Sequence, residues 1–110
     1  MPRFIISGNY TATAMKGMID TPSDRQSAAR ALVEAAGGKL ETFYLTTGDS
    51  DFSMKVTIDD AADLMAALMV AGASGAASNL KTVRAFTSEE FTEMQKKAGD
   101  IAKAYKAPGS

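Results

Sequence analysis

Five side chains whose types can do chemistry stand out in this sequence: Arg84, Lys55, Asp51, Tyr44 and Tyr10. An arginine binds a carboxylate through two parallel hydrogen bonds, and a lysine facing the same cavity would add a second positive charge. A tyrosine hydroxyl can act as a general acid, and its ring can stack on a ligand. These five residues are the candidates for binding a small organic acid.

Arg84 is the strongest of these candidates because of the residues that alternate with it along a predicted strand. The residues that share its face are Leu80, Thr82 and Phe86. None of them is charged, so the guanidinium requires an anion within reach. That anion is either a protein carboxylate (Asp51, Glu41 or one on a partner chain) or a bound ligand. In both cases we expect Arg84 to point into the space between the sheet and a partner.

The other candidates each have a purely structural explanation as well. Asp51 follows a turn sequence, in which aspartate commonly orders the backbone, and Gly48 is explained by a positive φ angle. Tyrosines at strand ends, such as Tyr10 and Tyr44, commonly pack as amphipathic side chains. The sequence leaves the structural and the ligand-binding interpretations open for all of them.

The composition excludes several kinds of chemistry. Without histidine or cysteine, the chain lacks the usual zinc and haem ligands, a thiol nucleophile and the base of a serine triad. Because its carboxylates are scattered, we predict no metal site and no cofactor. A net charge of -1 without a basic stripe argues against nucleic acid as a partner.

Two further features of the sequence argue against a membrane protein. The longest apolar stretch, residues 64–72, has about half the length that spans a bilayer. The segment 1–6 has no basic region ahead of a long apolar run and does not resemble a signal peptide. We therefore expect a cytoplasmic protein.

The first half of the sequence predicts a strand, two helices and a second strand. Residues 3–10 form the first strand, and Thr11 caps a short helix that is interrupted near Gly17. Thr21-Pro22-Ser23-Asp24 has a hydroxyl cap and a proline in the first turn, so it begins a second helix. Gly37-Gly38 ends that helix, and residues 39–47 form the second strand.

The second half repeats the pattern and adds a C-terminal helix. Phe52, Met54, Val56 and Ile58 alternate with polar residues, which indicates a strand with one buried face. Asp59-Asp60 opens a helix, 72–78 is a flexible connection, and 80–86 is the fourth strand. Thr87 and Glu90 form a capping box for a helix over 88–105. A frayed tail over 106–110 follows this helix.

The order βαββαβ plus a terminal helix predicts an α+β, ferredoxin-like fold with an antiparallel four-stranded sheet. We expect one domain over residues 1–110, with its core in 2–87. Two helices cover the face with Phe52, while the face with Ser53, Lys55 and Thr57 also receives Ile5 and either Phe43 or Tyr44. Met69 and Val70 widen the apolar stripe of the second core helix. Both surfaces predict a homodimer or a larger homo-oligomer.

Three stretches resemble the GYD domain family: residues 43–51, the acid-started helix after 59, and 80–87. The opening strand and residues 23–38 resemble it too, so the likeness covers about the first nine-tenths of the chain. Gly48 and Asp51 match the Gly, Tyr, Asp signature, and Ser50 stands where the tyrosine is expected. The resemblance implies an assembly of the dimeric α/β-barrel type, and it implies no specific activity.

Three kinds of function therefore stay open. The first is a homo-oligomeric module that binds a small molecule or acts as an accessory protein. The second is a cofactor-independent enzyme of the dimeric-barrel type, such as a small monooxygenase or isomerase. The third is a purely structural assembly protein. A more remote alternative is a tautomerase that uses Pro2 as an N-terminal base after removal of Met1, with Arg84 holding the enol oxygen.

Overall fold

The structure is a computed structural model that describes residues 1–109; Ser110, the last residue of the predicted tail, lies outside that range. Its elements are β1 (Arg3–Tyr10), α1 (Ala12–Asp20), α2 (Arg25–Ala35), β2 (Lys39–Leu45), β3 (Phe52–Thr57), α3 (Ala61–Ala73), β4 (Ala77–Ala85) and α4 (Ser88–Ala102). The four strands form one sheet in the order β2-β3-β1-β4, and every neighbouring pair is antiparallel. This arrangement confirms the predicted ferredoxin-like α+β fold.

The core lies between one face of the sheet and the helices α2 and α3. The sheet contributes alternating residues of its two central strands, and the helices contribute the apolar stripes that face them. The buried residues of this core are Phe4, Ile6, Val33, Leu40, Phe52, Met54, Val56, Ile58, Leu64 and Leu68. Ile6 and Val56 have no exposed surface at all, so the middle of the sheet is fully covered.

The opposite face of the sheet, called the open face below, carries Ile5, Lys55, Val83, Tyr44 and Ser53. In the ladders, Ile5 lies opposite both Lys55 and Val83, and Tyr44 lies opposite Ser53. Directly opposite residues share one face of a sheet, so these side chains form a single surface. The register of β2 shifts between Leu40 and Thr42. Because of this shift, Phe43 packs on the core and Tyr44 lies on the open face.

Helix α2 begins later than the sequence predicts. Its N-cap is Asp24, whose Oδ1 accepts hydrogen bonds from the backbone N–H of Gln26 (3.0 Å) and of Ser27 (3.3 Å). Thr21, the predicted cap, instead ends α1, because its N–H donates to the carbonyl of Gly17 at 2.9 Å. Helix α1 therefore continues past Gly17 without a break.

Strand β4 begins at Ala77, inside the segment predicted as a flexible connection. Ala77 and Ser78 pair with the end of β1, beyond a bulge where Asn79 takes a φ of 51°. Asparagine tolerates this left-handed conformation better than most residues. Gly8 lies at the same place on β1, where an added Cβ would stand 2.9 Å from Leu80 Cδ2 and from Phe52 Cζ.

Helix α4 begins at the predicted capping box, in which Thr87 and Glu90 satisfy each other's backbone N–H groups. It ends at Ala102, three residues before the predicted 105. The described chain is 63 Å long with a radius of gyration of 18.2 Å, whereas a compact domain of this length has about 13 Å. Among residues 1–109, no helix or strand packs extensively on α4, so this helix stands out as an arm.

The crowding at Gly8 yields a test of the fold. We expect Gly8→Ala to lower the free energy of unfolding by roughly 1–3 kcal/mol, because the new methyl must displace packed side chains. Gly17→Ala is the matched control. Nothing lies within 4 Å of a Cβ there, so the change should raise the free energy by roughly 0.5–1 kcal/mol through helix propensity. Urea unfolding measures both, and a Gly8→Ala protein as stable as the wild type would contradict the packing described.

Candidate functional site

Arg84 lies opposite Phe4 in the ladder, and therefore on the core-side face of the edge strand β4. Its Nη2 stands 3.9 Å from Glu90 Oε2, and its Nη1 donates to the carbonyl of Arg3 at 3.3 Å and to that of Ala85. The guanidinium carbon also lies 4.2 Å from the centroid of the Phe86 ring. Arg84 thus holds the base of α4 and does not point between the open face and a partner.

The position of Lys55 separates it from Arg84. Lys55 pairs with Ile5 on the open face, whereas Arg84 pairs with Phe4 on the other face. The two cations therefore cannot converge on one ligand within a chain. Tyr44 also lies on the open face, largely exposed.

Asp51 orders the hairpin at the end of β1. Its Oδ2 accepts hydrogen bonds from the backbone N–H of Tyr10 at 2.9 Å and from Asn9 Nδ2 at 3.3 Å. Its own N–H donates to the carbonyl of Gly8 at 2.8 Å. Gly48, in the turn before it, has a φ of 91°, a conformation that glycine adopts without strain. Both residues of the signature have structural roles here.

An apolar cavity of about 200 Å³ lies between the sheet and the helices α2 and α3. The sheet side is formed by large side chains such as Phe43, Phe52 and Leu80, whereas the helix side mixes leucines and valines with alanines such as Ala28 and Ala71. Because alanines do not reach far from a helix, they leave space above the large sheet residues. This void is apolar and partly enclosed, as ligand pockets commonly are.

Tyr10 and Arg25 stand at one end of this cavity. The Arg25 guanidinium carbon lies 5.9 Å from the centroid of the Tyr10 ring, and that ring packs 5.2 Å from the ring of Phe52. Two shallower depressions, toward α1 and toward Asp51, are also lined by Tyr10 and Arg25. The pair is therefore accessible from the surface and forms part of the cavity wall.

The charge of Arg25 is not neutralised within the described chain. Its Nε is buried and has no hydrogen-bond partner. Among residues 1–109, no carboxylate lies within ion-pair distance of it. A buried donor without a partner costs free energy, so an anion that reached Arg25 would be bound favourably.

Sequence reasoning identified Tyr10 but missed Arg25. One signal was available, because a cation in the first turn of a helix is disfavoured by the helix dipole. Arg25 is the first residue of α2, and no acidic residue accompanies it in that turn. Placing the start of the helix at Thr21 hid this position.

The remaining predicted features lie elsewhere. Pro2 precedes β1, its carbonyl accepts a hydrogen bond from Ile58 N–H at 3.1 Å, and it does not line the cavity. Within residues 1–109, no three acidic side chains converge as a metal ion would need. In that same range, no helix has the length and apolarity that crossing a bilayer requires.

Burial raises the pKa of the Tyr10 phenol above its ordinary value, partly offset by the Arg25 guanidinium, and the Asp51 carboxylate adds to the rise. The folded pKa therefore exceeds the unfolded one. The neutral phenol therefore contributes to the free energy of unfolding. This contribution is fully present below about pH 10, the ordinary tyrosine pKa, and is lost as the pH rises through the raised pKa of the folded protein. At neutral pH the phenol is a hydrogen-bond donor.

This shift predicts how stability depends on pH. Between about pH 8 and about pH 11, we expect the wild type to lose more unfolding free energy than Tyr10→Phe, which has no phenol to ionise there. Urea unfolding at the two pH values measures the loss. Equal losses in the wild type and Tyr10→Phe would show that the Tyr10 phenol is not perturbed.

Comparisons with known proteins bear on the fold and the family. Two solved structures are similar to the chain. MtbAldR has a TM-score of 0.52 and 19% sequence identity, and the match covers 79% of this chain and 52% of MtbAldR. TTHA0845 from Thermus thermophilus has a TM-score of 0.50 and 18% identity, and the match covers 80% of this chain and 96% of TTHA0845. The chain thus spans about half the length of MtbAldR. At these identities the likeness extends to the fold alone, and no curated protein sequence matches.

The family assignment rests on a separate comparison of the sequence. A family model for the GYD domain matches residues 4–94, which is most of the chain. The matched range begins in β1 and ends in α4, and so contains the sheet except for Arg3, together with the helices that cover it. The chain belongs to the GYD domain family.

Proposed function

We propose that this chain is a homo-oligomeric module that binds a small organic acid in the cavity between the sheet and the helices α2 and α3. The acid's apolar part would occupy the cavity, and its carboxylate would contact Arg25 and the Tyr10 hydroxyl. The observation that carries the proposal is the buried, unpartnered Nε of Arg25 at the end of an apolar cavity.

The size of the cavity limits the ligand. An apolar cavity of about 150 Å³ is large enough to bind benzene. A volume of about 200 Å³ therefore suits a monocarboxylate with one ring or a short branched chain. The apolar walls favour burial of such a group, and the one cationic side chain in the wall favours an acid over its neutral analogue.

The chemistry of the cavity end favours binding over turnover. The Tyr10 phenol, whose pKa lies above its ordinary value, is neutral at neutral pH and can donate a hydrogen bond to a carboxylate. Asp51 fixes the backbone of Tyr10, because its Oδ2 accepts a hydrogen bond from the Tyr10 backbone N–H at 2.9 Å. The donor is therefore held in place before the ligand arrives, which reduces the entropy lost on binding.

The open face supports the homo-oligomeric part of the proposal. Ile5 is 42% exposed, Val83 55% and Tyr44 67%, and they lie among polar side chains on a sheet that nothing in the described chain covers. Two copies that placed these faces together would bury them and complete an assembly of the dimeric α/β-barrel type. A domain of this size gains stability when a partner covers more of its surface.

Calorimetric titration with benzoate tests the ligand site. We expect the wild type to bind benzoate and to bind benzamide, its neutral analogue, more weakly. Arg25→Gln should weaken benzoate binding about 10-fold or more, the effect of losing one charge-assisted hydrogen bond. Arg30→Gln removes an exposed cation from the same helix and should leave binding unchanged. Benzoate binding of equal strength in Arg25→Gln, or none in the wild type, would refute the proposed site.

A further inference from the structure

Helix α4 carries an exposed apolar seam, here defined as Phe91, Met94, Ala98 and Ile101, with Tyr105 in the turn that follows. The steps along the helix alternate between three and four residues, which is the spacing of a helix that packs lengthwise on another helix. No residue of α4 is buried, and Phe91 and Ile101 are 57% and 67% exposed. The seam therefore lacks the partner that its spacing implies.

The base of the arm is fixed, so the seam faces a defined direction. Arg3 Nη1 binds Glu90 Oε1 at 2.9 Å, and the same oxygen accepts the Thr87 N–H at 2.9 Å. The Arg3 contact ties the first turn of α4 to β1, and Arg84 Nη2, 3.9 Å from Glu90 Oε2, ties it to β4. Within the chain, this anchoring leaves α4 projecting from the core.

We propose that α4 pairs in antiparallel orientation with α4 of a second copy of the chain, seam against seam. The seam is self-complementary about a two-fold axis near its middle. Its small residue, Ala98, then lies near the axis, where the two backbones must approach, and the large residues Phe91 and Tyr105 lie toward opposite ends. This inference does not rest on ligand binding in the cavity.

The charges of α4 favour the antiparallel orientation. Its first two turns carry only acidic charges, and its later turns carry mostly basic ones. The acidic residues are Glu89, Glu90 and Glu93, and the basic ones are Lys96, Lys97 and Lys103, with Asp100 among them. In an antiparallel pair each acidic end lies beside the basic end of the partner, whereas a parallel pair would bring like charges together. The two helix dipoles also oppose one another in the antiparallel pair.

The area available agrees with a weak but specific contact. At about 200 Å² for each large side chain, the exposed parts of the seam and Tyr105 amount to roughly 400 Å² per copy. Two copies would bury roughly 800 Å² through α4 alone, below the 1,200 Å² or so of a standard interface. We therefore expect the pair to form at micromolar concentrations, and the open face would contribute separately to a larger assembly.

Sedimentation velocity at about 100 μM tests the pairing. We expect Ile101→Glu to halve the mass of the main species, because it places a charge in the seam, while circular dichroism confirms that α4 remains helical. Thr92→Glu adds the same charge on the opposite side of the helix and should sediment like the wild type. A wild type that is monomeric, or an Ile101→Glu protein of unchanged mass, overturns the proposal.

Cross-linking tests the orientation, since the chain has no cysteine of its own. With a short bismaleimide, Ala98→Cys should give a covalent dimer, because residue 98 lies near the axis. Residue 91 is seven positions away, which separates its two copies by about 20 Å in an antiparallel pair. Phe91→Cys should therefore not cross-link to itself, but should do so when mixed with Tyr105→Cys. Efficient self-linking of Phe91→Cys would indicate a parallel pair and overturn the proposed orientation.

Discussion

The register of β1 against its two neighbours is the constraint on which the rest of the structure depends. Ile6 pairs with Met54 on one side and with Thr82 on the other, so every second residue of β1 is committed to the core. A shift of one residue would exchange the two faces of the sheet. The hydrogen bonds of Asp51 to the backbone at the end of β1 help to hold this register. The cavity, the open face and the direction of Arg84 all follow from it.

The cavity arises from a mismatch between the two layers that the register brings together. The sheet presents aromatic and long aliphatic residues, and α2 and α3 present many alanines. A well-packed core would fill the gap, since voids of this size lose dispersion contacts and hydrophobic free energy. A ligand that fills it recovers these contacts. The protein keeps an arginine with a buried, unpartnered nitrogen at one end, which is costly without a ligand and favourable with one.

Local patterns predicted the elements well, because their causes are local. The alternation from Phe52 to Ile58 and the capping box at Thr87 and Glu90 are properties of a few neighbouring residues, and the structure has both. The facing of Arg84 and Lys55 depends on strand register and could not be read from alternation in separate strands. The place of Arg25 at the cavity depends on where α2 begins, and the start of α2 depends in turn on where α1 ends. The candidate site therefore needed three-dimensional information, although Tyr10 was identified from its type and its place at a strand end.

A ligand carboxylate is proposed to bind at the Arg25 end of the cavity. A crystal structure of the wild-type protein soaked with benzoate tests this most directly. We predict electron density for the ring between the sheet and α2, with a carboxylate oxygen within hydrogen-bond distance of the Arg25 guanidinium. An empty cavity with benzoate bound instead beside Arg84, or a cavity closed by a rearranged Arg25 that pairs with a protein carboxylate, would contradict it.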